Sequence, residues 1–123
     1  MNQEVSRVLP HQHGNALPEG IETEIGKTEH FRLIADVFRQ VGDPTRVRIF
    51  WLLCHCEECV TNIAALLAMS GPAVSHHLRA LKDARLLVAR REGKEVYYRA
   101  SDIRESLLLH QMIEQVMQIA CPK

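Results

Sequence analysis

No stretch of the chain approaches the roughly 20 consecutive apolar residues that cross a bilayer. The polar start Met1–Pro10 lacks the apolar block of a signal peptide. A soluble, cytoplasmic protein without a membrane partner is expected. Net charge is missing too: 15 Lys and Arg offset 15 Asp and Glu, so bulk charge points to no partner. There is no glycine-rich phosphate loop, no nucleophile elbow, and no serine, histidine and acid set in a recognisable context, which sets enzyme chemistry aside. Internal repeats and low-complexity tracts are absent. What is there is ordinary globular composition, with 46% hydrophobic and 24% charged residues in 123. That suits one compact domain with a loose arm and excludes wholesale disorder.

The charge is unevenly spread. Residues 1–30 carry Glu4, Glu19, Glu22, Glu24 and Glu29 against Arg7 and Lys27, a net of minus three. Residues 70–104 carry eight basic side chains against Asp83, Glu92, Glu95 and Asp102, a net of plus four. A basic segment in a neutral chain implies an anionic partner at one face.

Residues 1–22 hold Pro10, Gly14, Pro18 and Gly20 with His11 and His13 and show no periodicity. They read as a flexible N-terminal arm, with the folded domain over 23–123. From Thr28, Phe31, Ile34, Ala35, Val37 and Phe38 recur at helical spacing as far as Gly42, a helix stop. Asp43-Pro44 restarts a helix, aspartate as cap and proline in the first turn. Its wide apolar side of Val47, Ile49, Phe50, Leu52 and Leu53 fades near Cys54. Thr61-Asn62 opens a short third helix, and Ser70-Gly71-Pro72 starts a fourth with Val74, Leu78 and Leu81 as its buried stripe. Two β-prone runs, Leu86–Arg90 and Glu95–Arg99, flank Arg91-Glu92-Gly93-Lys94 and predict a hairpin with a basic tip. Ser101 is expected to cap a last helix, in which Leu107, Leu108, Ile113, Val116 and Met117 repeat up to Pro122.

The predicted fold is therefore mainly α with a small β-hairpin wing behind a helix, tight turn, helix. The second of those helices fits a major groove roughly 12 Å wide, and the hairpin reaches phosphates beside it. Arg79, Arg90, Arg91 and Lys94 are the expected phosphate contacts; Ser70, Ser75 and His76 are candidates for base edges or for positioning. The plainer alternative is a solvated charged face. His76 and His77, as helical neighbours, point about 100° apart and do not chelate one ion together. His76 is assigned to the DNA face or its hydrogen-bonded support.

Three motifs then carry a resemblance: Asp43-Pro44-Thr45-Arg46, Ala73-Val74-Ser75-His76-His77-Leu78-Arg79-Ala80-Leu81, and Gly93-Lys94-Glu95-Val96-Tyr97-Tyr98-Arg99. In this order they resemble the ArsR/SmtB family of metal-sensing winged helix-turn-helix repressors, over about residues 30–120. The resemblance implies a homodimer joined by its first and last helices, binding of double-stranded operator DNA through the fourth helix and wing, and release by an inducer.

Cys54, Cys56 and Cys59 crowd into six residues with His55. In a reducing compartment such clustering favours metal or redox chemistry over a disulfide framework. On one continuous helix the three thiols would diverge; a helix ending near Cys54 lets the following loop fold back and converge them. Such a pocket suits zinc, cadmium or lead with an added ligand, or arsenite with three sulfurs, and His55, His11 or His13 could complete it for zinc. Glu57-Glu58-Cys59-Val60-Thr61-Asn62-Ile63-Ala64 is similar to the family's cysteine-containing motif, with Cys59 on its first cysteine and Thr61 where the second stands. A thiol redox or persulfide switch is the alternative: family members of that type pair cysteines of the second and last helices, and Cys54 and Cys121 lie about a turn beyond the corresponding Trp51 and Met117. Of the family's zinc site on the last helix only Asp102 matches; Arg104, Gln115 and Gln118 occupy the other ligand positions, and arginine is no ligand. His110 and Glu114, one turn apart, could bind a metal across the dimer, an interface hydrogen bond being the plainer reading. A protein-binding adaptor on the same fold would lack DNA selectivity.

Overall fold

The computed structural model describes residues 9–11, 13–14 and 16–120. Residues 1–36 and 37–123 form two separate units. In the first, described residues of the expected arm take irregular chain and turns up to Gly20, and a short helix α1 (Ile21–Ile25) follows. Helix α2 (Thr28–Gln40) begins in this unit and ends in the second.

In the second unit α3 (Pro44–His55) starts as the sequence dictates: Asp43 accepts the backbone N–H of Arg46 at 3.0 Å, with Pro44 in the first turn. Helices α4 (Val60–Leu67) and α5 (Gly71–Asp83) make the helix-turn-helix. Ala68 ends α4 in the left-handed region at φ 54°, where its N–H still reaches helix carbonyls, and this reverses the chain within three residues. The Ser70 hydroxyl then accepts the N–H of Ala73 at 3.3 Å and caps α5. Strands β2 (Leu87–Glu92) and β3 (Glu95–Ala100) pair antiparallel from Leu87↔Ala100 to Glu92↔Glu95. Their two-residue turn needs a positive φ, which Gly93 supplies at 61°. Helix α6 (Arg104–Ala120) closes the described chain. No helix among the described residues is long and apolar enough to cross a membrane.

The core is a single cluster. Ile49, Phe50 and Leu53 of α3 meet Ile63 and Leu67 of α4, Val74, Leu78 and Leu81 of α5, Leu86 and Leu87 entering the wing, and Leu109 of α6. The α5 stripe is the predicted one, and all three of its residues are fully buried.

Two features depart from expectation. A two-residue strand β1 (Glu58–Cys59) joins the sheet in the order β1-β3-β2, pairing Glu58 with Tyr98 and Cys59 with Tyr97. Ser101 does not cap α6, which starts at Arg104. It is buried, donates to the carbonyl of Arg85 at 2.7 Å and shares a 2.6 Å hydrogen bond with Ser106. The two hydroxyls thereby satisfy each other where water is excluded. Along α6, Leu107, Leu108, Val116 and Met117 are exposed, while Leu109 and the partly buried Ile113 turn to the core.

Candidate DNA interface and cysteine cluster

With Val74, Leu78 and Leu81 fixing one side of α5 inward, helical geometry aims His76 and Arg79 outward. They are exposed, as is the capping Ser70, while Ser75 is half-buried. Arg79 has no ion-pair partner among the described residues, so its charge is available to a phosphate. His77 turns the other way: its Nδ1 accepts Arg46 Nε at 3.1 Å, and Arg46 also donates to Gln40 Oε1 at 2.9 Å. The Asp43–Arg46 segment thus caps α3 and ties it to α5.

The wing cations differ from one another. Among the described residues Arg91 makes only a long bond to the carbonyl of Gly93, at 3.4 Å, and Lys94 is exposed at the turn. Arg90 is engaged within the chain. It meets Glu57 through Nε at 2.8 Å and a terminal nitrogen at 2.6 Å, meets Glu92 at 2.6 Å, and lies 4.7 Å from the Tyr97 ring centroid. The guanidinium holds the Glu57 carboxyl below its ordinary pKa, and the two carboxylates hold Arg90 firmly charged. As a phosphate contact Arg90 must first exchange an internal partner, which the sequence did not signal.

The three thiols sit in three environments. Cys54 is half-buried on the last turn of α3; burial, with Glu114 nearby, pushes its thiol up to about 11. Cys56 is exposed at the end of the helix, its Sγ 3.4 Å from the Leu52 carbonyl, and its pKa is raised by desolvation and then by Glu58. Cys59 is buried in β1. Among the described residues the only set of three metal-ligating side chains with ligand atoms within 4.8 Å of one another is His55, His110 and Glu114. The expected convergence of three sulfurs is therefore absent from this conformation. The reason is β1, which pins Cys59 to Tyr97 instead of letting the loop fold back. Cys54 and Cys56 nevertheless line one cavity of about 310 Å³ with His55 and His110, so two soft donors and two imidazoles border the same space. In donor type this suits a thiophilic ion.

His11 and His13 are exposed in the first unit with rings 6.0 Å apart. Cys121 lies outside the described residues, as do parts of the arm. His110 bonds Glu114 within its own helix at 3.1 Å.

Residues 43–88 match the model of a family described as bacterial regulatory protein, arsR family. A transcriptional repressor SmtB homolog of Synechocystis sp. is 37% identical over 82 residues, which are 67% of this chain and 62% of that protein. The chain thus spans less than two thirds of that relative's length. A cadmium resistance transcriptional regulatory protein CadC homolog of Staphylococcus aureus is 39% identical over 63% of this chain and 69% of its own. The solution structure of a homodimeric winged helix-turn-helix DNA-binding domain from Mycobacterium bovis, described as a possible ArsR-family transcriptional regulator, superposes with a TM-score of 0.65. It is 30% identical, with 79% of this chain and 88% of that one covered.

Proposed function

The chain belongs to the arsR family of bacterial regulatory proteins, and on that premise we propose that it is a homodimeric transcriptional repressor that grips operator DNA and releases it on capture of a thiophilic metal or metalloid ion. The observation that carries the DNA reading is the outward face of α5 beside Arg91 and Lys94, which have no ion-pair partner among the described residues. Ser70, Ser75 and His76 stand where base edges or their supports are met; Arg79, Arg91 and Lys94, with Arg90 after partner exchange, neutralise phosphates. A two-fold protein reads half-sites one or two DNA turns apart. The dimer is supported by exposed apolar side chains on α2 (Phe31, Ile34, Phe38) and on α6 (Leu108, Met112, Val116), which a monomer leaves in water.

For the inducer, Cys54, Cys56 and Cys59 are the proposed ligands, for zinc, cadmium, lead or arsenite. Gathering them requires Cys59 to leave β3, which also draws Glu57 from Arg90, because both lie in the four residues between α3 and α4. Closing the ligand set therefore unfastens the wing. To move the population from about 1:99 to 99:1 the ion must favour the released form by roughly 5.5 kcal/mol, and by linkage operator DNA weakens ion binding equally. Burial raises the Cys54 pKa, so its thiol must give up a proton both to bind an ion and to attack a sulfur partner, and the two readings share that cost.

The test pairs two measurements. Arg79→Ala with Arg91→Ala is expected to weaken operator binding and flatten its salt dependence; no sequence-selective duplex binding by the parent chain at any salt would leave the adaptor reading. Cadmium added to reduced protein is expected to give a thiolate charge-transfer band that Cys54→Ser, Cys56→Ser, Cys59→Ser abolishes, with operator release alongside. Release by peroxide or polysulfide and not by metal would give the redox reading.

A further inference from the structure

We propose that His55, His110 and Glu114 form a second metal site, a sulfur-free one for a borderline divalent cation, built within one chain where the end of α3 meets α6. The i, i+4 spacing puts His110 and Glu114 on one face of α6, and the last residue of α3 brings His55 to them. Nε2 of His55 and Nε2 of His110 each lie 3.1 Å from the same atom, Glu114 Oε1. The imidazoles meet edge to face, with centroids 5.0 Å apart. A tetrahedral ion with bonds of about 2.0–2.1 Å needs ligand atoms roughly 3.3 Å apart, so the two nitrogen–oxygen spacings are already at bonding separation.

The hydrogen bonding by itself is ill balanced. Trp51 Nε1 also donates to Glu114 Oε1, at 3.0 Å, so three ring nitrogens crowd one oxygen that has two lone pairs. A cation bound to both Nε2 atoms and the carboxylate removes the excess: the imidazoles become acceptors toward the ion, and Trp51 remains as the outer-shell donor that orients the carboxylate. Two imidazoles and one carboxylate are a three-ligand set for zinc-like ions that leaves a fourth position open. The cavity beside His55 and His110 gives that position room. Every ligand but His55 lies on α6, so occupancy would fasten α6 to α3. This site does not depend on the thiol reading, because it contains no sulfur.

The probe is Co(II), added to the full chain with all four cysteines changed to serine. The expected result is one Co(II) per chain with visible d–d absorption of tetrahedral intensity, no sulfur charge-transfer band, and quenching of Trp51, the single tryptophan of the sequence. His110→Gln or Glu114→Gln in that background is expected to abolish the band with unchanged far-UV circular dichroism. Trp51→Phe, which spares every ligand, is expected to weaken binding about 10- to 100-fold. Absence of the band, or its survival in Glu114→Gln, overturns the site. If the cysteine-free chain does not fold, Trp51 quenching by Co(II) is read in the parent chain: its loss in Glu114→Gln with no sulfur charge-transfer band in the parent supports the site, and unchanged quenching or a sulfur band overturns it. Loss of the cadmium thiolate band leaves these outcomes untouched, so the two readings fail separately.

Discussion

Arg90 on strand β2 clasps Glu57, two residues past the end of α3, through two guanidinium nitrogens at 2.8 and 2.6 Å. A basic residue of the wing is thus joined to the segment that carries Cys56 and Cys59. One contact links the hairpin proposed to meet DNA to the loop proposed to take the inducer.

The wing cations are therefore expected to contribute unequally to DNA binding. Arg91→Ala should lower the salt slope of operator binding by about 1, and Arg90→Ala by less, because Arg90 must give up Glu57 or Glu92 to reach a phosphate. Glu57→Gln should release Arg90 and steepen the slope. Filter binding or fluorescence anisotropy across a salt series measures all three.

Cys54 should be the slower thiol. In metal-free reduced protein at pH 8, iodoacetamide is expected to modify exposed Cys56 before half-buried Cys54, as peptide mass spectrometry would resolve. Labelling of Cys54 should keep rising toward pH 11. The sign for stability follows. With the folded pKa at about 11 against an ordinary 9.0, the folded state holds this proton longer, so its contribution is intact below pH 9 and is lost as pH climbs through 11.

Ala68→Gly should stabilise the chain. Alanine at φ 54° pays a left-handed penalty that glycine does not, and relief is worth about 1 kcal/mol at a helix C-terminus. Chemical denaturation should show a higher midpoint at unchanged slope; a lower midpoint would mean that the alanine methyl matters more than the backbone.

Ser106→Ala should destabilise by about 1–3 kcal/mol, since it removes a partner from a buried hydroxyl pair. Ser106→Thr keeps the hydroxyl and should restore part of the loss if its extra methyl is accommodated. Thermal melts separate the two.

Met112→Glu with Val116→Glu should shift sedimentation toward the monomer and weaken operator binding. These side chains are exposed on α6, and a carboxylate buried in a dimer contact without a partner is costly.

Much of this molecule is written in short-range signals. Asp43-Pro44 and Ser70-Gly71-Pro72 mark helix starts through cap chemistry that acts over three residues. Val74, Leu78 and Leu81 mark a buried stripe through period alone, and Gly93 marks a turn through the sign of one torsion. The helix-turn-helix and wing were legible for that reason, and the motifs on them led to the family. Strand β1 has no such signal. Two residues, Glu58 and Cys59, become a strand only because Tyr98 and Tyr97 offer an edge to them, and that pairing decides that Cys59 faces the core and not Cys54. His55 and Glu114 stand 59 positions apart. No periodicity relates them, and their meeting is fixed by how α6 lies on α3. The local code set the elements and their outward faces; tertiary contacts chose which donor atoms share a space, because ligand geometry depends on distances that only the packed chain defines.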